Sequence, residues 1–120
     1  MHLLRSFGLA AIAAVMFAAC ASTPKPEAAM ASSEGAIRGA SEAGADTVPQ
    51  AQLHLKLAEE QRATALAMIK DGHNGRAKYV LARSEADAEL AIALARQAAA
   101  EKDAADANAK VETLEDKVNQ

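Results

Sequence analysis

The chain has 120 residues, 51% of them hydrophobic but only 2% aromatic, and a formal net charge of −3. That length holds one domain at most. The acidic balance and the scarcity of stacking aromatics exclude a nucleic-acid footprint, and a single cysteine excludes an internal disulfide framework. Alanine dominates the apolar fraction and buries little area per side chain. The composition therefore predicts an all-α chain of closely packed helices rather than a layered core.

The first element is an apolar run. Met1 to Ser6 carries one cation, Arg5, and Phe7 to Ala19 is a nearly unbroken apolar stretch of 13 residues. That is too short for a bilayer span, which needs about 20 residues. It has the length of the apolar region of a secretory signal peptide. Small residues Ala18 and Ala19 precede the lone cysteine, Cys20.

Phe17-Ala18-Ala19-Cys20 resembles the lipobox of bacterial lipoproteins, with Phe17 in the place of the usual Leu. The resemblance implies cleavage between Ala19 and Cys20, and lipidation of Cys20 by a diacylglyceryl thioether and an N-terminal acyl chain. Each buried methylene adds about 0.8 kcal/mol, so two or three chains hold an anchor that one would not. Ala21 follows the cysteine where an Asp would retain the protein at the inner membrane. For a Gram-negative source, this implies the outer membrane, facing the periplasm.

Residues 20–32 read as the lipidated cysteine and a flexible tether. Pro24 and Pro26 favour extended backbone, and the twelve residues after Cys20 reach at most about 40 Å. A helical domain is expected over 33–120. Its first helix spans about 33–44, with Ile37, Ala40, Ala43 and Gly44 on one face and Gly44 as breaker. A second helix is expected at about 49–71, because Pro49 suits the first turn of a helix. Ala51, Ala58 and Ala65 centre one face of it, together with His54, and Leu53, Leu57 and Met68 flank them on one edge. The stretch "DGHNG" ends this helix, with Gly72 as the left-handed cap residue.

From Arg76 to Gln120 there is neither Gly nor Pro, and half of residues 86–109 are alanine. One long helix over about 75–118 is predicted. A seam of alternating 3- and 4-residue steps runs along it: Tyr79, Arg83, Ala86, Leu90, Ala93, Gln97, then alanines, then Val111, Leu114 and Val118. That is coiled-coil spacing. The expected architecture is thus a short N-terminal helix, then an antiparallel helical hairpin with a long, coiled-coil-like C-terminal arm. The second helix is half as long as the third, so it pairs with roughly Arg76 to Ala98. The rest projects, leaving Val111, Leu114 and Val118 as a candidate partner-binding stripe.

Gly44-Ala45-Asp46, Pro49, Leu53, Gly72 and the run Glu85-Ala86-Asp87-Ala88-Glu89-Leu90-Ala91 together resemble the lipoproteins that carry the domain of unknown function 4398. His73-Asn74 stands where that family has an Asp and an aromatic residue. The resemblance covers residues 34–105 and implies an Ala-rich helical hairpin in a Gram-negative envelope. It implies no activity.

Catalytic chemistry is not expected. "GAIRGASEAG" follows no strand and makes no phosphate loop. His73 beside Asp71 is a polar turn rather than a metal site, and His54 is a packed histidine rather than a ligand. Arg83 and Asp87, four apart, are either a helix-surface ion pair or a polar specificity element inside the hairpin. No nucleophile stands near a base. The expected function is a non-enzymatic structural or protein-interaction module of the cell envelope, with no cofactor, metal or small-molecule substrate. It is membrane-bound through Cys20, and meets an envelope protein or a second copy through the C-terminal helix. The alternative is a coiled-coil oligomer similar to the murein lipoproteins, linking outer membrane and cell wall. Against it stand the breaks at "TVP" and "DGHNG" and the closing Lys117-Val118-Asn119-Gln120, where those proteins have a terminal lysine.

Overall fold

The computed structural model describes residues 23–120, so Ala19, Cys20 and the apolar run before them lie outside the described residues. The described chain is all-helical, without a strand. Helix α1 spans Glu27–Glu42, a short 3-10 turn Ala45–Thr47, α2 Pro49–Lys70 and α3 Asn74–Val118. The expected hairpin of α2 and α3 is present, and α1 lies along it.

Helix α1 starts six residues before its expected position. Residues 27–32, assigned to the tether, are helical. Pro26 stands at the N-cap, and the Met30 amide donates to its carbonyl at 3.0 Å. Beyond the proline, "EAAMA" is made of strong helix formers, and Glu27 places a carboxylate in the first turn, where the helix dipole favours it. Ala29 and Met30 then find apolar cover against Ala65, Ala77 and Leu81. Burial of these two residues draws the helix back toward Pro26.

Both expected breakers hold positive φ, Gly44 at 80° and Gly72 at 81°. At the second, the His73 amide donates to the Met68 carbonyl and the Gly72 amide to the Ile69 carbonyl. These two bonds make a Schellman cap, which needs a left-handed residue at the glycine position. Pro49 opens α2 in its first turn.

The helices run up, down and up. Met30 packs near Ala77 and Leu81, while Ile37 and Ala40 pack near Ala91 and Ala95. So α1 runs parallel to α3, and α2 runs against both. The contact residues are small. Ala51, Ala58 and Ala65 of α2 are fully buried, as are Ala77, Ser84, Ala88 and Ala91 of α3; Leu55 and Leu81 are the large buried side chains of the hairpin. Small contact residues let two backbones approach closely. Ser84 uses that proximity: its Oγ donates to the Ala58 carbonyl across the interface at 2.7 Å.

The buried stripe of α3 is Ala77, Leu81, Ser84, Ala88, Ala91 and Ala95. Its steps alternate 4 and 3, as in a coiled coil. It is not the seam expected from the sequence, which lies two residues later and so about 200° round the helix. Tyr79 is 76% exposed, and Arg83, Ala86, Leu90, Ala93 and Gln97 are exposed with it. Alanine-rich helices offer two seams of equal period. The hairpin takes the one with the smaller residues, because α1 and α2 pack closest there.

Candidate interaction surface

The end of α3 where the chain turns back carries the start of the described chain. The Asn74 side-chain amide donates to the Thr23 carbonyl at 2.7 Å. Asn74 is the first residue of α3, so the segment entering α1 is held against the Gly72 turn. The opposite end of the bundle is closed by the Gly44–Val48 turn, and there α3 leaves its partners. Ala95 is the last buried residue and Ala98 the last half-buried one; residues 99–120 are all exposed. This matches the expected length mismatch. About 30 Å of single helix projects beyond Ala98.

The three residues singled out as a partner-binding stripe sit on this arm. Val111 is 53% exposed, Leu114 61% and Val118 85%. Of the six large hydrophobic residues that are exposed among the described residues, five belong to the seam that faces away from the bundle: Tyr79, Leu90, Val111, Leu114 and Val118. The sixth, Leu53, lies on α2. One ion pair lies along the arm on another face, Lys102 with Asp106 at 2.6 Å.

A polar cluster joins α2 to α3. His54 Nδ1 lies 3.0 Å from one Asp87 oxygen, and Gln61 Nε2 donates to the other at 2.7 Å. An ionised carboxylate only accepts, so Nδ1 carries the proton. Burial raises the Asp87 carboxyl. The hydrogen bonds from His54 and Gln61, then the charges of His54 and Arg83, outweigh burial and hold it below its ordinary range. Of the two readings of Arg83 and Asp87, the helix-surface ion pair is absent, and Asp87 instead makes polar contacts across the hairpin. Both its oxygens are taken by α2, and Arg83 contributes charge alone. The sequence carried a signal for this pairing: an antiparallel count from the Gly72 turn sets Asp87 opposite the stretch from His54 to Gln61. On the other flank, Arg62 pairs with Glu34 at 2.7 Å and ties α1 to α2.

These polar groups tie the three helices to one another. His73 and Asp71 are exposed on the turn. Among the described residues, no three of His, Cys, Asp or Glu come together as metal ligands, and no helix is long and apolar enough to cross a membrane. In comparison with known proteins, no family model matches the chain, and no curated protein or solved structure is significantly similar to it.

Proposed function

We propose that the chain is a lipid-anchored envelope protein whose helical body acts by contact, as a structural or protein-interaction module. The observation that carries this is the apolar run ending in Ala18-Ala19-Cys20, followed by a body with one bound end and one free end. Thr23 is held at the Gly72 turn, and Cys20 is three residues away in sequence. An anchor there stands within about 11 Å of that end of the bundle. The exposed arm of α3 leaves from the other end. Its tip lies about 66 Å along the helix from Asn74. A short anchor segment and a long rigid arm suit a protein that carries a binding surface away from a membrane.

The likeness to the lipoproteins with the domain of unknown function 4398 supports the same reading, with an outer-membrane, periplasm-facing placement in a Gram-negative cell. The body turns back at Gly44 and Gly72, which favours this reading over one continuous murein-lipoprotein-like coil.

The test is the intact mass of the full-length protein recovered from bacterial membranes. Loss of residues 1–19 together with added acyl mass on Cys20 is the expected result. Recovery of the uncleaved chain, or of an unmodified Cys20, would overturn the anchor. Cys20→Ser should move the protein from the membrane to the soluble fraction.

A further inference from the structure

We infer that the exposed arm of α3, from Gln97 to Val118, pairs with the same arm of a second copy, parallel and in register. The inference rests on the anchored reading above for the orientation of the copies, and on this chain's own side chains for the partner.

The outward seam fixes the heptad. Its steps of three run from Gln97 to Ala100, from Ala104 to Ala107 and from Val111 to Leu114. The first of each pair is an a position and the second a d position. Val111 and Val118 are then a residues and Leu114 is a d residue. β-branched residues at a with Leu at d favour a parallel two-stranded coil. The opposite face cannot compete on the arm. The stripe that the bundle buries continues there as Lys102, Ala105, Ala109, Glu112 and Asp116, so it becomes charged where the outward seam becomes apolar. The two faces lie nearly opposite on the helix, so a partner on the seam would not displace α1 or α2.

The flanking charges identify that partner and its direction. The g positions carry Arg96, Asp103, Lys110 and Lys117, and the e positions Glu101, Asn108 and Glu115. In a parallel pair each g residue meets the e residue five later on the other chain. That sets Arg96 against Glu101 and Lys110 against Glu115, twice over by symmetry, with Asp103 against the neutral Asn108. An antiparallel pair sets g against g and e against e. Centred on the arm, that sets Arg96 against Lys117 and Glu101 against Glu115, each repulsive and repeated by symmetry, and leaves only Asp103 against Lys110 attractive. Copies anchored at Cys20 in one leaflet present their arms in the same direction, which suits the parallel arrangement.

Cysteine crosslinking of the full-length chain in bacterial membranes tests this. Ala107→Cys and Leu114→Cys, both at d and one heptad apart, should each oxidise to a disulfide-linked dimer. The yield should exceed that of Ala105→Cys and Ala109→Cys by roughly fivefold or more, since only facing positions meet the distance limits of a disulfide. Homotypic bonds at both levels are incompatible with an antiparallel pair. Lys110→Glu or Glu115→Lys, in the Leu114→Cys chain, should each lower the dimer yield several-fold, and the double exchange should restore it.

Equal yields on both faces, no dimer at either seam position, a disulfide at one level alone, or an adduct whose mass is not that of two copies would each overturn the inference. Failure to rescue by the double exchange would remove the in-register assignment. The parent chain, run beside these, keeps the two proposals apart. A parent dimer formed through Cys20 would sink the lipid anchor instead, and the seam is then read in a Cys20→Ser background.

Discussion

Helix α3 is one continuous element with two environments. Over Asn74–Ala98 it is the inner rail of a three-helix bundle; beyond Ala98 every residue faces solvent. Alanine is the commonest residue on both sides of that point. What changes is the partner. The same residue type is fully buried at Ala91 and exposed at Ala100, nine residues further on. Helix propensity carries the backbone through both halves, while tertiary stability is confined to the first.

Substitutions that pit the two halves against each other sharpen this comparison. Leu81, fully buried, should cost about 2–5 kcal/mol of stability when replaced by alanine. Leu114→Ala in the arm should change the unfolding midpoint of dilute protein by no more than about 0.5 kcal/mol. Thermal or urea unfolding followed by circular dichroism reads both, and equal costs would break the distinction. Enlarging the small-residue contact is next. Ala58→Leu should destabilise by about 1–3 kcal/mol through overpacking, whereas Ala104→Leu, on the exposed arm, should leave the bundle's midpoint unchanged.

The Gly72 cap holds φ at 81°, so Gly72→Ala should cost about 1–2 kcal/mol, with Gly35→Ala, at an unstrained and open helical site, as the neutral or stabilising control.

The His54–Asp87–Gln61 cluster gives the bundle half a pH dependence. The Asp87 carboxyl is held below its ordinary range in the folded state. Its contribution is therefore fully present above the ordinary carboxylate pKa, and is lost as pH falls through the folded value, in the acid region below about pH 4. Asp87→Asn should flatten that part of the curve of stability against pH and cost about 1–2 kcal/mol at neutral pH. A wild-type curve with no extra slope there would show that the cluster contributes nothing. The smallest effect is expected on the arm. Lys102→Ala removes one solvated i,i+4 pair with Asp106 and should cost at most about 0.5 kcal/mol, further reduced by added salt.

Much of the fold was legible in the residues. Gly44, Pro49 and Gly72 each have a backbone preference that needs no neighbour to act, so the breaks and the hairpin could be placed from local chemistry alone. The unequal lengths of α2 and α3 followed from the same breaks. The start of α1 was not legible, because two prolines suggested a tether, and only the apolar cover over Ala29 and Met30 shows why a helix begins at Glu27. The stretch opposite Asp87 could be counted from the Gly72 turn, but the nearer Arg83 masked it. Arg83 is four residues away in sequence, but His54 and Gln61 arrive through the hairpin.

Local chemistry settles that this chain is helical, where it turns, and that one helix outruns its partner. Those features are set by propensity, glycine, proline and length, which act within a few residues. Which of the two seams of α3 the bundle uses is a matter of packing between helices. Two alanine-rich faces of equal period differ too little in burial energy for pattern to choose between them. The choice depends on how closely α1 and α2 approach, and that leaves the Val111-Leu114-Val118 face turned outward.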